Sequence, residues 1–180
     1  FSTGGSISST PCAFDGKVCF GSKDGNVYCL SQDGELLWKF STPGVINQDP
    51  VFYKGCIYIG SDDSALHVID AASGSPVRSI KSRGAFGRPL IMAGILYVGC
   101  FDKNFYAFTT EGKELWRYKH NAVIGVRRPF LHDDVVYGCC RDGSMYGLTL
   151  DGKLRIRYMT NELLWCTPVT DGNSMYFGSC

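Results

Sequence analysis

Five prolines divide this chain into equal lengths. Pro11, Pro50, Pro89, Pro129 and Pro168 stand at steps of 39, 39, 40 and 39 residues. Other residues keep the same step. Asp24, Asp63, Asp102 and Asp142 each follow their proline by 13, and Tyr28, His67, Tyr106 and Tyr146 follow by 17. Trp38 and Trp116 follow by 27, where the other units carry Val77 and Ile156. Several independent registers agree on one period, so the chain must fold as a series of like units.

Each unit predicts four short strands, A to D. Strand A follows the proline, as in Cys12–Phe14, because a proline at a strand's first position removes no donor from the ladder. Strand B is expected at Val18–Phe20, Ile57–Ile59, Leu96–Val98, Val135–Tyr137 and Met175–Phe177. Strand C is expected at Val27–Leu30, Leu66–Ile69, Phe105–Phe108 and Met145–Leu148, and strand D at Leu36–Phe40, Val77–Ile80, Leu115–Tyr118 and Leu154–Tyr158. The turns between them carry Asp24-Gly25, Asp142-Gly143, Asp33-Gly34 and Asp151-Gly152, residue types that reach the positive φ of tight hairpins. No stretch sustains a helical period.

A lone four-stranded meander cannot bury both of its faces, whereas stacked neighbours can. Four strands in about 40 residues therefore read as a propeller blade. The expected fold class is all-β, a β-propeller of four-stranded antiparallel blades with about four full blades and partial blades at both ends. Residues 1–180 form one propeller segment, with blades near 9–44, 45–83, 84–121 and 122–161 and a partial blade of 162–180 with 1–8. Phe1-Ser2-Thr3-Gly4-Gly5 matches the D-strand tail Phe40-Ser41-Thr42-Pro43-Gly44, and Gly178-Ser179-Cys180 falls within a B strand. Either the chain is a piece of a larger ring, or its ends meet in a fifth blade that lacks strand C. The first reading is favoured, since propellers have about 4–8 blades and both ends fall inside one.

Charge and cysteine usage narrow the function classes. Eighteen Lys+Arg against 17 Asp+Glu leave a net charge of +1, which offers no general attraction to nucleic acid or an anionic membrane. No apolar run approaches the roughly 18 residues of a membrane span. The nine cysteines, at 12, 19, 29, 56, 100, 139, 140, 166 and 180, are odd in number and lack Cys-x-x-Cys spacing. Most lie within apolar runs, where a thiol packs as a small hydrophobe. They point to a reducing, cytoplasmic compartment rather than a secreted or periplasmic one; the alternative is a secreted protein with a few cross-strand bridges.

The pattern of small-Pro, aromatic-x-Gly-Ser, Asp-Gly-x-x-Tyr-x-Leu and Gly-Lys-x-x-Trp resembles the pyrroloquinoline-quinone-type (PQQ-like) propeller repeat. Tyr58-Ile59-Gly60-Ser61 with Val68-Ile69-Asp70-Ala71-Ala72-Ser73-Gly74, and Asp102 through Gly112-Lys113-Glu114-Leu115-Trp116, are its clearest copies. The resemblance covers the whole chain and is specific for the repeat, not for a function. It implies a fold shared by quinoprotein dehydrogenases, an outer-membrane assembly lipoprotein, the tail of aminoadipate-semialdehyde-type adenylating enzymes and sensor tails of bacterial kinases. It also implies that the strand-D tryptophan docks on the next blade. Trp38 and Trp116 take that role by position; Val77 or Arg78 and Ile156 do not, so weaker contacts are expected there.

Repeated acids read as architecture: Asp24, Asp63, Asp102 and Asp142 should accept hydrogen bonds from their own turns. Function is sought where the copies differ. The residue before each proline enters the innermost strand, and around the chain it is Thr10, Asp49, Arg88, Arg128 and Thr167, with Arg83 and Arg127 close by. No acid occurs between Asp70 and Asp102, a span that holds Arg78, Lys81, Arg83 and Arg88. A cationic sector of the channel mouth could hold a carboxylate or phosphate; alternatively these arginines pair with Asp63, Asp102 or Asp142. The candidate ligand-binding set is Asp49, Arg88, Arg127, Arg128 and Trp165, the last stacking on a ligand or packing against a blade. The adjacent Cys139-Cys140 invites the vicinal disulfide that the resemblance suggests, but neighbouring strand residues face opposite ways, so two buried thiols are expected. His67 replaces a repeat tyrosine and reads as a packed imidazole.

No catalytic or metal-ligating constellation is found, nor a phosphate loop or nucleophile elbow. The function expected is therefore a non-catalytic binding or scaffolding module of a larger protein. It needs no cofactor, and its partner is a protein or peptide, or the rest of its own propeller. The alternatives are a fragment of a PQQ-dependent quinoprotein oxidoreductase, which would need the quinone with calcium, or a regulatory tail of a multidomain enzyme.

Overall fold

The computed structural model describes residues 1–122, 128–160, 162–164 and 166–178. They form strands, turns and loops, and no helix long and apolar enough to cross a membrane. The chain divides into two compact units, Phe1–Arg88 and Pro89–Cys180. The first holds two four-stranded antiparallel sheets, each a meander in chain order. One is β1 (Cys12–Phe14), β2 (Lys17–Gly21), β3 (Asn26–Ser31) and β4 (Leu36–Ser41); the other is β5 (Val51–Tyr53), β6 (Cys56–Ser61), β7 (Ala65–Asp70) and β8 (Pro76–Lys81). The second unit repeats the arrangement with β9 (Leu90–Met92), β10 (Ile95–Gly99), β11 (Asn104–Thr109) and β12 (Glu114–Lys119). It continues with β13 (Phe130–His132), β14 (Val135–Cys139), β15 (Ser144–Thr149) and β16 (Leu154–Met159), then a two-stranded sheet of β17 (Val169–Thr170) and β18 (Met175–Tyr176).

Every strand expected for the four full units and the A–B pair after them is present, but Phe1–Gly5, expected as the tail of a D strand, form no strand. In the four full sheets the A–B hairpins turn on two residues that both have positive φ, as at Asp15 (43°) and Gly16 (70°), the turn that follows the natural twist of paired strands. Asp133 (48°) and Asp134 (58°) make the same turn without glycine; aspartate tolerates this region better than most residues.

All four C–D pairs share one irregularity. The register slips between Cys29 and Leu30, Val68 and Ile69, Ala107 and Phe108, and Gly147 and Leu148. Each slip is a β-bulge, which bends the outer strand and sharpens its twist. The ladder also corrects one equivalence. Cys29 lies opposite Trp38, and its counterpart Val68 lies opposite Arg78, not Val77. The turn before β8 is one residue longer than its counterparts, so counting from the proline lands one place early.

The cores lie between sheets. Cys19, Cys29, Trp38, Ile57, Ile59 and Ile69 belong to one buried cluster that draws on both sheets of the first unit. Tyr97, Phe105, Ala107, Val136, Tyr146 and Leu148 do the same for β9–β12 and β13–β16. The inner strands also touch, with the Phe14 and Phe52 rings stacked at 4.4 Å. Burying one face of each meander against its neighbour is the stabilising step that one blade cannot achieve alone.

Candidate functional site

The residues at the strand-A entrance are built first. Asp49 precedes β5, and its two oxygens are shared. Oδ1 accepts the Thr10 amide at 2.6 Å and Oδ2 accepts the Arg88 guanidinium at 2.8 Å. Thr10, Asp49 and Arg88 hold the same repeat position in successive units, so the period itself brings them side by side. The expectation that Arg88 pairs with Asp63, Asp102 or Asp142 is thus corrected to Asp49, because the oxygens of Asp63 are engaged locally. The pair is half-buried, and the Arg88 Nε is buried without a hydrogen-bond partner. In the second unit the Thr167 hydroxyl donates to the Arg128 carbonyl at 3.3 Å. Arg127 and Trp165 lie outside the described residues.

The repeat aspartates close their own turns. Asp24 Oδ1 accepts the Asn26 amide at 3.0 Å, and Oδ2 accepts the Tyr28 hydroxyl at 2.7 Å and the Gly4 amide at 2.9 Å. Asp102 repeats this with Asn104 at 3.0 Å and Tyr106 at 2.7 Å. Burial pushes these two carboxyls up, but the hydrogen bonds outweigh it and hold both below the usual range. Asp63 binds the Ala65 amide at 3.0 Å and, in place of a tyrosine, His67 Nε2 at 2.9 Å. Asp142 accepts the Ser144 amide at 2.9 Å and lies 3.5 Å from the Tyr146 hydroxyl. The backbone bonds follow the expectation from the sequence, and the side-chain bond to the residue four places on is a further partner the structure adds.

Both tryptophans clamp a neighbour. The Trp38 indole donates to the Ala71 carbonyl at 3.1 Å and lies against Gly74, where a Cβ would come within 2.7 Å of the ring. Trp116 donates to the Leu150 carbonyl at 2.7 Å and lies against Gly152 in the same way.

The sequence reading missed His120. Its amide donates to the Lys103 carbonyl at 2.8 Å, as Thr42 does to Gly25 and Thr160 to Gly143, both at 2.8 Å. Where the Thr42 hydroxyl meets the Ser61 hydroxyl at 3.1 Å, His120 Nδ1 meets the Cys140 Sγ at 3.7 Å. The ring is buried, edge-on to Tyr146 at 4.0 Å and to Tyr118 at 4.8 Å. Burial lowers its pKa to about 4, the Arg157 charge adds to this and Asp142 opposes it. Thr42, His120 and Thr160 each follow their proline by 31 residues, so the equivalence was legible in the same register as the aspartates.

Cys139 and Cys140 are both buried. Their thiols part company as strand alternation requires: Cys140 faces His120, and the Cys139 Sγ lies 3.8 Å from the Cys166 Sγ. Among the described residues no three His, Cys, Asp or Glu side chains converge as a metal site.

Stacked four-stranded antiparallel blades with indole clamps define a β-propeller of the PQQ-like repeat class. The chain belongs to the family described as outer membrane protein assembly factor BamB, whose model matches residues 23–162. Among curated proteins, the Danio rerio beta-alanine-activating enzyme is 34% identical over 103 residues, 52% of this chain and 9% of that protein. The quinohemoprotein alcohol dehydrogenase ADH-IIG of Pseudomonas putida is 27% identical over 138 residues, 62% of this chain and 19% of that protein. The chain thus spans a tenth to a fifth of the length of these relatives. Among solved structures, the computationally designed protein Ika8 has a TM-score of 0.82 at 19% identity, covering 94% of this chain and 54% of that one. BamB from Moraxella catarrhalis has a TM-score of 0.67 at 18% identity, covering 99% of this chain and 69% of that one. At these identities the structural likeness speaks for the fold alone.

Proposed function

We propose that this propeller is a non-catalytic module that holds a protein or peptide partner, with acidic side chains, at the strand-A entrance. The observation that carries the reading is the contrast between constant and variable positions. The constant aspartates and the recurring tyrosines and tryptophans are engaged in the scaffold, whereas the entrance column changes from blade to blade through Thr10, Asp49, Arg88, Arg128 and Thr167. Arg88 is pre-oriented there by Asp49, and its planar guanidinium suits a carboxylate. The likeness to beta-alanine-activating enzymes supports a regulatory part of a multidomain enzyme. The scattered cysteines support a reducing, cytoplasmic setting.

A fluorescent polyglutamate peptide tests the reading. Binding followed by polarisation should weaken about tenfold or more in Arg88→Ala and Arg128→Ala, the loss expected for a charged contact. Unchanged affinity in both variants, or no binding by the native chain, refutes it. The likeness to the quinohemoprotein dehydrogenase supports a second reading, a part of a quinone-dependent oxidoreductase. A rise in melting temperature with pyrroloquinoline quinone plus calcium would support that reading, and an unchanged one would remove it.

A further inference from the structure

The passage from the fourth blade to β17 differs from the other described blade-to-blade passages within each unit. Trp38 and Trp116 clamp the following sheet, but Ile156 stands at that position in β16 and is exposed. The end of strand B differs too. Gly21 and Gly60 lie so close beneath the next segment that a Cβ would come within 2.2 Å of the Ile46 side chain and 2.3 Å of the Phe86 carbonyl oxygen. At the corresponding place β14 ends in Cys139, beneath Leu164. Its Sγ lies 3.8 Å from the Sγ of Cys166, in the segment that enters β17. Two sulfurs in contact thus stand at a junction that lacks the indole clamp. Cys139 is 4% exposed, whereas Cys166 is half-buried.

We infer that Cys139 and Cys166 are a reversible dithiol–disulfide pair, closed by a low-molecular-weight disulfide, that locks the fourth blade to the segment entering β17. A disulfide needs sulfurs about 2.05 Å apart, so closure asks for a local shift of about 1.8 Å. The chemistry is thiol–disulfide exchange. The Cys166 thiolate, the one an oxidant reaches, attacks the small disulfide and expels one thiolate. Cys139 then loses its proton to solvent and attacks the Cys166 Sγ, expelling the second. The protein gives up two protons and two electrons, and the oxidant becomes two thiols. Burial and the neighbouring Cys166 push the Cys139 thiol up to about 12, so Cys166 is the sulfur attacked first and deprotonation of Cys139 sets the pace of closure.

The test equilibrates the full chain with glutathione disulfide, blocks remaining thiols by alkylation and maps peptides by mass. The expected product is a peptide pair joined through Cys139 and Cys166, lighter by two hydrogens and released by dithiothreitol. Oxidation should raise the melting temperature by several degrees in the native chain and leave Cys166→Ser and Cys166→Ala unmoved. Full alkylation of both cysteines after oxidation overturns the inference, as does a bridge from Cys139 to Cys140. The peptide map needs no variant, so it decides even if a substitution fails to fold.

Discussion

At the scale of single residues, His120 makes the chain's acid response specific. The groups facing it are Cys140, Tyr118 and Tyr146, with Asp142 and Arg157 as the nearby charges. An unfolded histidine takes a proton near pH 6.5, whereas the folded one does so only at about 4. Between these values the unfolded chain binds more protons. Stability is therefore complete above about pH 6.5 and falls as the pH drops towards 4, by up to about 3 kcal/mol. Asp24 and Asp102, held low, add their own losses only further into acid. Urea midpoints from pH 7.5 to 4.5 should fall in the native chain and fall less in His120→Thr, which restores the residue type found at Thr42 and Thr160. Parallel curves would remove His120 as the cause.

At the scale of elements, the joints between blades are where substitution costs most. Gly21 and Gly60 hold equivalent positions near a strand end, yet a Cβ at Gly21 meets the Cγ2 methyl of Ile46, and one at Gly60 meets a backbone oxygen of Phe86. A side chain can rotate and a carbonyl fixed in a loop cannot. Gly60→Ala should therefore cost about 2–3 kcal/mol and Gly21→Ala closer to 1 kcal/mol, read from chemical denaturation; equal losses would mean that the loop yields as readily as the side chain. Trp38 joins packing to a hydrogen bond on Ala71. Trp38→Phe should lose about 1 kcal/mol with the donor, and Trp38→Ala about 3–5 kcal/mol. A phenylalanine variant as damaged as the alanine one would show that the hydrogen bond, not the ring, carries the joint. Trp116 makes the same contact from a more exposed position, so its alanine variant should lose less.

At the scale of the whole molecule, the fold was legible because strand, turn and period all repeat, and errors in one unit are corrected by its copies. Every strand expected for the four full units is present, the constant aspartate column closes its turns, and the tryptophans clamp a neighbour in the two units that carry them. What stayed hidden depends on pairing across the repeat. The Asp49–Arg88 bond joins residues one period apart, and no local pattern announces it. Arg78 escaped because the turn before β8 is one residue longer than its counterparts, so a register anchored on prolines drifts there while the hydrogen-bond ladder does not; His120 keeps its register, and only its burial and its partner Cys140 needed the structure. The same period has a consequence for how the protein is made. The bonds that tie one blade to the next, from Trp38 to Ala71, Trp116 to Leu150 and Thr10 to Asp49, span 33, 34 and 39 residues. A ribosome adds about 5–20 residues per second, so a newly made blade waits roughly 2–8 seconds for the partner that covers it. During that interval its apolar face is bare, and this is when a chaperone has reason to hold the nascent chain.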